Sequence, residues 1–248
     1  MPGTDGGAHP EALARLGGGP EATADQVVSA MVCESDNAAA GWLRARLGDE
    51  ALREAAASGG WEDVDLPSYA GAAARFVLPD RAPPGASRAE LSSVDAVLGR
   101  QVADDPAFRA DVQRRYADSA ARDPERFVAD QQRWTGTTAA ATPVQVAGLY
   151  RAIATGGVPG ADVAQRQLTH QGPIPRLGTV GFKSGSFLNV LTFGSFLRRD
   201  DGSLGYAVVL GRDLPVLPLT TTQARGQQGM ALDALRSPAG FDRPLCVA

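Results

Sequence analysis

Helical and strand-like patterns are segregated along this 248-residue chain, and their order determines the class of fold. Arg199-Asp200-Asp201-Gly202 is typical of a hairpin turn between two β-rich runs. Residues 221–235 predict a closing helix, with Met230 and Leu235 among its apolar positions. Helices, then an antiparallel meander, then a helix predict an α+β fold. The β-rich runs cover residues 179–186, 190–198 and 204–210.

Helix start signals recur before residue 176. Capping boxes are predicted at Thr23 and Thr142, each with a glutamine three residues later. Asp-Pro pairs at Asp105 and Asp123 mark two further starts. Residues 66–87 contain four prolines, which predict a loop with short ordered segments. We therefore expect one domain over 1–248, with a mainly helical lobe at 20–175 and the strands plus a last helix at 176–248.

Composition excludes several classes of function. A hydrophobic share of 44% fits a globular core, and the net charge of -4 gives no support for nucleic-acid binding. No apolar stretch is long enough to span a membrane, and the sequence as written shows no export signal. The two cysteines and two histidines have no metal-type spacing, so we expect neither a metal nor a cofactor.

Lys183 is the only lysine in the chain, beside 23 arginines. Such a bias is typical of GC-rich codons, so an ammonium retained here indicates a role that a guanidinium cannot take over. The residue lies in Gly181–Ser186, at the start of an apolar run. We interpret Lys183 as a functional residue.

A polar triplet, Ser35-Asp36-Asn37, lies between two predicted helices, and Lys183-Ser184-Gly185 lies on a predicted strand. These triplets resemble the second and third motifs of class A β-lactamases and penicillin-binding proteins. The resemblance covers about residues 20–50 and 135–236. It implies a helical lobe packed on an antiparallel sheet.

The resemblance assigns a role to each residue of the polar triplet. Ser35 would stand in the proton path to the leaving nitrogen, since its hydroxyl both donates and accepts. The alternative for Ser35 is a helix N-cap. Asn37 would bind the substrate amide, and Asp36 would tie the loop to its own backbone.

The same resemblance assigns substrate contacts to the strand. Lys183 and Ser184 would hold a substrate carboxylate by charge and by hydroxyl. Gly185 would let substrate approach the strand edge. The backbone N–H of Ser186 would form one half of an oxyanion hole. The expected partner is a small molecule or peptide with a carboxylate.

Two departures from the family pattern stand out. No Ser-x-x-Lys exists, because position 180, three residues before the only lysine, is Val180. The turn-rich first residues lead us to expect that this motif, a first helix and two strands belong to sequence upstream, with a leader if the protein is extracytoplasmic. No Glu-Leu-Asn follows the polar triplet either. The segment most similar to it is Glu90-Leu91-Ser92. A peptidase or esterase therefore fits as well as a β-lactamase.

Three hypotheses follow from these observations. The first is a serine hydrolase that uses an acyl-enzyme, inactive as these 248 residues alone. The second is a non-catalytic relative that binds a carboxylate. The third, a phosphate-binding loop, is discarded because Phe182 replaces the required glycine and a strand follows. If two strands are missing, residues 206–210 should form an unpaired apolar sheet edge that favours aggregation.

Overall fold

The structure is a computed structural model, and it describes residues 22–66, 68–137, 140–187, 189–214 and 221–236. The chain divides into two compact units. The first takes in residues up to Leu52 and from Val64 to Ala140. The second takes in Arg53–Asp63 and the chain from Ala141 onward.

The first unit is helical. Its second helix is interrupted at Gly48, whose φ of 79° and ψ of 156° are not helical, and its last residues belong to the second unit. Gly48 thus separates two helical segments, as glycine does at helix ends. The helices are α1 (Ala24–Cys33), α2 (Asn37–Ser58), α3 (Tyr69–Val77), a 3-10 turn (Pro79–Arg81), α4 (Arg88–Asp104), α5 (Pro106–Arg122) and α6 (Pro124–Thr135).

The second unit combines helices with a four-stranded sheet in the order β1-β2-β3-β4, every neighbouring pair antiparallel. The predicted α+β class, with helices before and after an antiparallel sheet, is confirmed. The elements are α7 (Pro143–Thr155), α8 (Ala161–Leu168), β1 (Pro173–Ile174), β2 (Gly178–Phe187), β3 (Val190–Arg198), β4 (Leu204–Gly211) and α9 (Thr221–Arg236).

The predicted caps are present. Thr142 accepts a hydrogen bond from the Gln145 backbone at 3.2 Å, and the Gln145 side chain accepts one from the Thr142 backbone at 2.7 Å. The same reciprocal pair caps α1 at Thr23. Asp105 and Asp123 cap α5 and α6, each followed by proline. Since these bonds are local in sequence, short motifs were sufficient to predict them.

Residues 66–87 hold more structure than the sequence indicated. The nine-residue helix α3 lies there, and its cap is Ser68, which accepts from the Gly71 backbone at 3.2 Å. A Cβ at Gly71 would overlap the backbone carbonyl of Asp95, so α3 and α4 cross at close range. Tertiary packing of small residues thus overrides the flanking prolines that predicted a loop.

A buried ion pair helps to stabilise the first unit. Arg75 on α3 makes a two-pronged bond to Asp95 on α4, with Nε to Oδ1 at 2.6 Å and Nη2 to Oδ2 at 3.2 Å. Asp95 is 1% exposed and Arg75 6%. Arg75 also donates to the Thr137 hydroxyl at 3.3 Å. Burial raises the pKa of Asp95, and the Arg75 guanidinium opposes that rise.

Aromatic rings pack beside this ion pair. The Phe76 ring lies 5.4 Å from the Phe127 ring, edge to face, and the Arg75 guanidinium lies 6.0 Å from the Trp134 ring. Tyr116 completes the group, and its hydroxyl accepts from Gln131 at 2.8 Å. Burial raises the pKa of Tyr116, so the phenol stays protonated.

The second unit has an apolar core between one face of the sheet and α9. Leu197 is fully buried there. Of the two apolar positions named for α9, Leu235 is buried and Met230 is 36% exposed. On α7, Tyr150 and Ala154 are buried, whereas Val146, Leu149 and Ile153 are only half-buried. The core consists of Leu177, Val180, Phe193, Leu197, Ala207, Ala231 and Leu235.

Two findings concern surfaces. In the part of the chain that the structure describes, no helix combines the length and apolarity needed to cross a bilayer.

Within the same residues, β4 pairs only with β3, so its other edge carries no strand. The described part of the chain therefore includes the open edge expected at residues 206–210.

Candidate functional site

The Ser-Asp-Asn loop connects α1 to α2 in the first unit. The Asp36 backbone N–H donates to the Ala30 carbonyl at 3.1 Å, which fastens the loop to α1. The Asp36 carboxylate accepts from the Ala39 backbone at 3.1 Å, three residues into the next turn. Asp36 is 9% exposed. It holds the loop against both helices and occupies the N-cap position of α2.

Ser35 has a backbone conformation that serine rarely adopts. Its φ is 55°, in the left-handed region that costs a residue with a Cβ about 1 kcal/mol. Both Ser35 and Asn37 are exposed, on either side of the buried Asp36. The anchored aspartate thus maintains the turn, and the turn presents its two neighbours to solvent.

The lysine motif occupies the middle of β2 in the second unit. Lys183 pairs with Gly194 of β3, and Ser184 pairs with Phe193. Lys183 and Ser184 are half-buried, whereas Gly185 and Ser186 are exposed. The Lys183 ammonium donates to the carbonyl oxygen of Ser184 at 2.6 Å. The ladder fixes the backbone of these residues, and the ammonium lies close to the strand.

Successive side chains of a strand point to opposite faces, so Lys183 and Ser184 start on different sides of the sheet. Ser184 shares its face with the buried Phe193, and Lys183 shares its face with Gly194. Among the described residues, β1 pairs with β2 only at Gly178 and Thr179, which leaves the rest of that edge without a strand. A ligand that touches both side chains therefore has to lie at this edge.

Tyr150 of α7 packs on Gly194, the cross-strand partner of Lys183, and the sequence analysis did not single it out. Its ring lies over Gly194, where an added Cβ would come within 2.9 Å of Cζ. Burial raises the pKa of Tyr150. The sequence feature that could have indicated this contact is Gly194, because a glycine inside a strand often allows another group to approach the backbone closely.

Glu90, the nearest sequence match to the family's glutamate, has a structural role in the first unit. Glu90 is the third residue of α4 and closes a capping box with Ser87, whose bonds lower the pKa of the glutamate. That geometry gives Glu90 a structural bond rather than a water to activate. In the described ranges, no cluster of three or more His, Cys, Asp or Glu side chains is arranged to hold a metal ion.

Comparison with curated proteins found no match. A sequence model of the beta-lactamase enzyme family matches residues 9–162, more than half of the chain. The matched segment includes Ser35-Asp36-Asn37 and ends before Lys183. The chain therefore belongs to the beta-lactamase enzyme family.

Proposed function

We propose that this chain supplies the proton-transfer loop and the carboxylate-binding strand of a serine hydrolase of the β-lactamase and DD-peptidase type. The substrate is a small molecule or peptide that bears a carboxylate near the amide or ester bond to be cleaved. One observation carries the proposal: a member of this family has Ser35-Asp36-Asn37 on an anchored loop before a helix and Lys183-Ser184-Gly185 on an open strand edge.

The strand would bind the carboxylate end of the substrate. An ammonium and a hydroxyl at one edge can both donate to the carboxylate, and the ammonium bond is the stronger because both of its partners are charged. Gly185 and Ser186 are exposed beside them, so substrate can reach their backbone. The Ser186 N–H would then donate to the oxyanion that forms at the attacked carbonyl.

The loop would act at the leaving group. A serine oxygen attacks the carbonyl carbon, the C–N or C–O bond breaks, and Ser35 passes a proton to the departing atom. Water then hydrolyses the ester and frees the serine. Asn37 would orient the substrate amide. The attacking serine belongs to a Ser-x-x-Lys motif that these 248 residues do not contain, so they do not form this acyl-enzyme by themselves.

Ligand binding tests the carboxylate half of the proposal. A penicillin and its methyl ester are titrated against the chain by calorimetry, and Lys183→Met is compared with wild type. We expect Lys183→Met to weaken binding of the acid about tenfold or more and to leave the ester unchanged, because only the acid gains the charge-assisted bond. Arg212→Met removes an exposed cation and serves as the matched control. Equal effects on acid and ester would contradict the proposal.

Covalent chemistry separates the proposal from a second candidate, a non-catalytic relative that binds a carboxylate. The absence of Ser-x-x-Lys from these residues favours that candidate. The test is the intact mass of the natural gene product before and after incubation with a fluorescent penicillin. A covalent adduct supports the hydrolase. An unchanged mass, together with Lys183-dependent binding, supports the relative.

A further inference from the structure

His170 lies in the short connection between α8 and β1. A hydrogen bond of 2.8 Å from the Gly172 amide to the Thr169 carbonyl closes this connection into a turn. The His170 Nδ1 lies 3.0 Å from the Gln167 carbonyl oxygen. A carbonyl oxygen only accepts, so Nδ1 carries the hydrogen and Nε2 is the ring nitrogen left for a ligand. The turn and the Nδ1 bond together hold the imidazole in one orientation.

The imidazole packs on the strand that carries the lysine motif. Its centroid lies 5.9 Å from that of the Phe182 ring, which in turn stacks on the Phe193 ring at 5.6 Å. Phe182 lies two residues before Ser184 on the same face of β2, and Phe193 is the cross-strand partner of Ser184. His170 is therefore the exposed end of an aromatic stack that borders the Ser184 side chain.

The imidazole also lies beside the part of the β2 edge that carries no strand. Among the described residues, β1 pairs with β2 only at residues 178–179, and Phe182 lies three positions further along the strand. A ligand that touches both Lys183 and Ser184 has to lie at this edge. A carboxylate held there would have His170 beside it on the Ser184 face.

Histidine changes its charge near neutral pH, whereas arginine, lysine and aspartate side chains ordinarily keep one charge between pH 5.5 and pH 8. A carboxylate that binds beside an imidazole favours the protonated ring, because opposite charges attract. Binding of an acid and uptake of a proton from the buffer are then linked, and each strengthens the other. The other charged side chains on the elements around His170 are Asp162 and Arg166 on α8, Arg151 on α7, Lys183 on β2 and Arg176 in the β1–β2 turn.

We propose that His170 is a specificity-determining residue of the carboxylate site, and that its protonated ring supplies a second positive charge for an acidic ligand. This role rests on the proposed function, in which Lys183 and Ser184 bind the carboxylate. Its consequence is that affinity for the acid increases as pH falls, since the ring takes up a proton when the acid binds. A neutral ligand of the same shape gains nothing from that proton, so its affinity does not depend on pH.

The test measures binding of a penicillin and of its methyl ester by calorimetry at pH 5.5 and at pH 8. We expect wild type to bind the acid about three- to fivefold more tightly at pH 5.5, the size expected for an exposed ion pair, and the ester equally at both values. His170→Gln keeps a polar side chain without the charge, and its affinity for the acid should not change with pH. His170→Phe keeps a ring against Phe182 and should behave in the same way. Unchanged affinity for the ester shows that either variant is folded.

Proton uptake gives a measurement that a structural role of His170 alone would not change. Calorimetry at pH 7 in two buffers of different ionisation enthalpy counts the protons taken up when the acid binds. We expect uptake in wild type and none in His170→Gln. The matched control is His9→Gln, which removes the other histidine of the chain and should behave as wild type.

The outcomes separate this role from the proposed function. A preference for the acid that depends on Lys183 but not on pH or on His170 overturns the inference and leaves the proposed function intact. A pH dependence that His170→Gln retains also overturns the inference. If wild type prefers the acid at neither pH, the proposed function fails, and the role of His170 fails with it.

Discussion

The two units are stabilised in different ways. The first buries an ion pair, Arg75 with Asp95, among aromatic rings, whereas no charged side chain is buried among the described residues of the second, whose core surrounds Leu197. A buried charge depends on its partner, since removing one member leaves the other desolvated. An apolar core depends on volume and contact, which no single partner supplies. The first unit should therefore respond to pH and to single charge changes, and the second should not.

Arg75→Met should give the largest effect. Removal of the guanidinium leaves Asp95 buried without its cation, and we expect a loss of about 3–5 kcal/mol in the free energy of unfolding. Hydrogen exchange measured by mass spectrometry, peptide by peptide, assigns the loss to α3 and α4. Arg126→Met, whose exposed partner Asp130 lies 3.7 Å away, should cost less than about 1 kcal/mol.

The loss in Arg75→Met should depend on pH. Burial raises the pKa of Asp95, and without Arg75 it rises further. A carboxyl whose pKa is raised on folding makes the folded protein less stable as pH rises from the unfolded pKa to the higher folded pKa of that carboxyl. The variant should therefore lose more stability at pH 8 than at pH 5. An equal loss at both values would mean that the ion pair does not govern the first unit.

Leu197→Ala in the second unit should cost about 2–5 kcal/mol, because the side chain is fully buried and leaves a cavity. The loss should be the same at pH 5 and pH 8, since the described residues that form that core are all apolar. Leu47→Ala is the control, because Leu47 is 57% exposed. A pH-dependent loss in Leu197→Ala would break the contrast between the units.

Ser195→Ala should have the smallest effect. Ser195 is fully buried in β3, and its hydroxyl donates to the Ala207 carbonyl at 3.1 Å. Its removal should cost about 0.5–1.5 kcal/mol, the net value of one neutral hydrogen bond. Urea unfolding measures the change. A loss as large as that of Arg75→Met would show that polar contacts matter equally in both units.

The sequence predicted the parts of the fold that depend on local signals. Capping bonds at Thr23 and Thr142 join residues three apart, and the turn at Gly202, with φ of 82°, joins adjacent strands. Such features need only the residue types at short spacing. The placement of Ser35-Asp36-Asn37 between two helices and of Lys183-Ser184-Gly185 on a strand belongs to this group, while the roles of these residues stay predictions.

Contacts between distant residues were not predictable in this way. Arg75 and Asp95 are separated by twenty positions, and nothing in their local sequences indicates a pair. Helix α3 was missed because its stability comes from the close crossing at Gly71. The contact of Tyr150 with Gly194 was missed for the same reason. Tertiary contacts decide these features, and short motifs do not contain them.

The single lysine, for which a binding role is proposed above, also gives the chain a single cleavage site for a lysine-specific protease. Lys183 is in the β2–β3 ladder, opposite Gly194. A protease needs an extended, unpaired segment, so cleavage requires this strand pair to open. The rate of cleavage into two fragments would measure that opening alone. A bound carboxylate ligand should slow the cut in proportion to its occupancy of the strand.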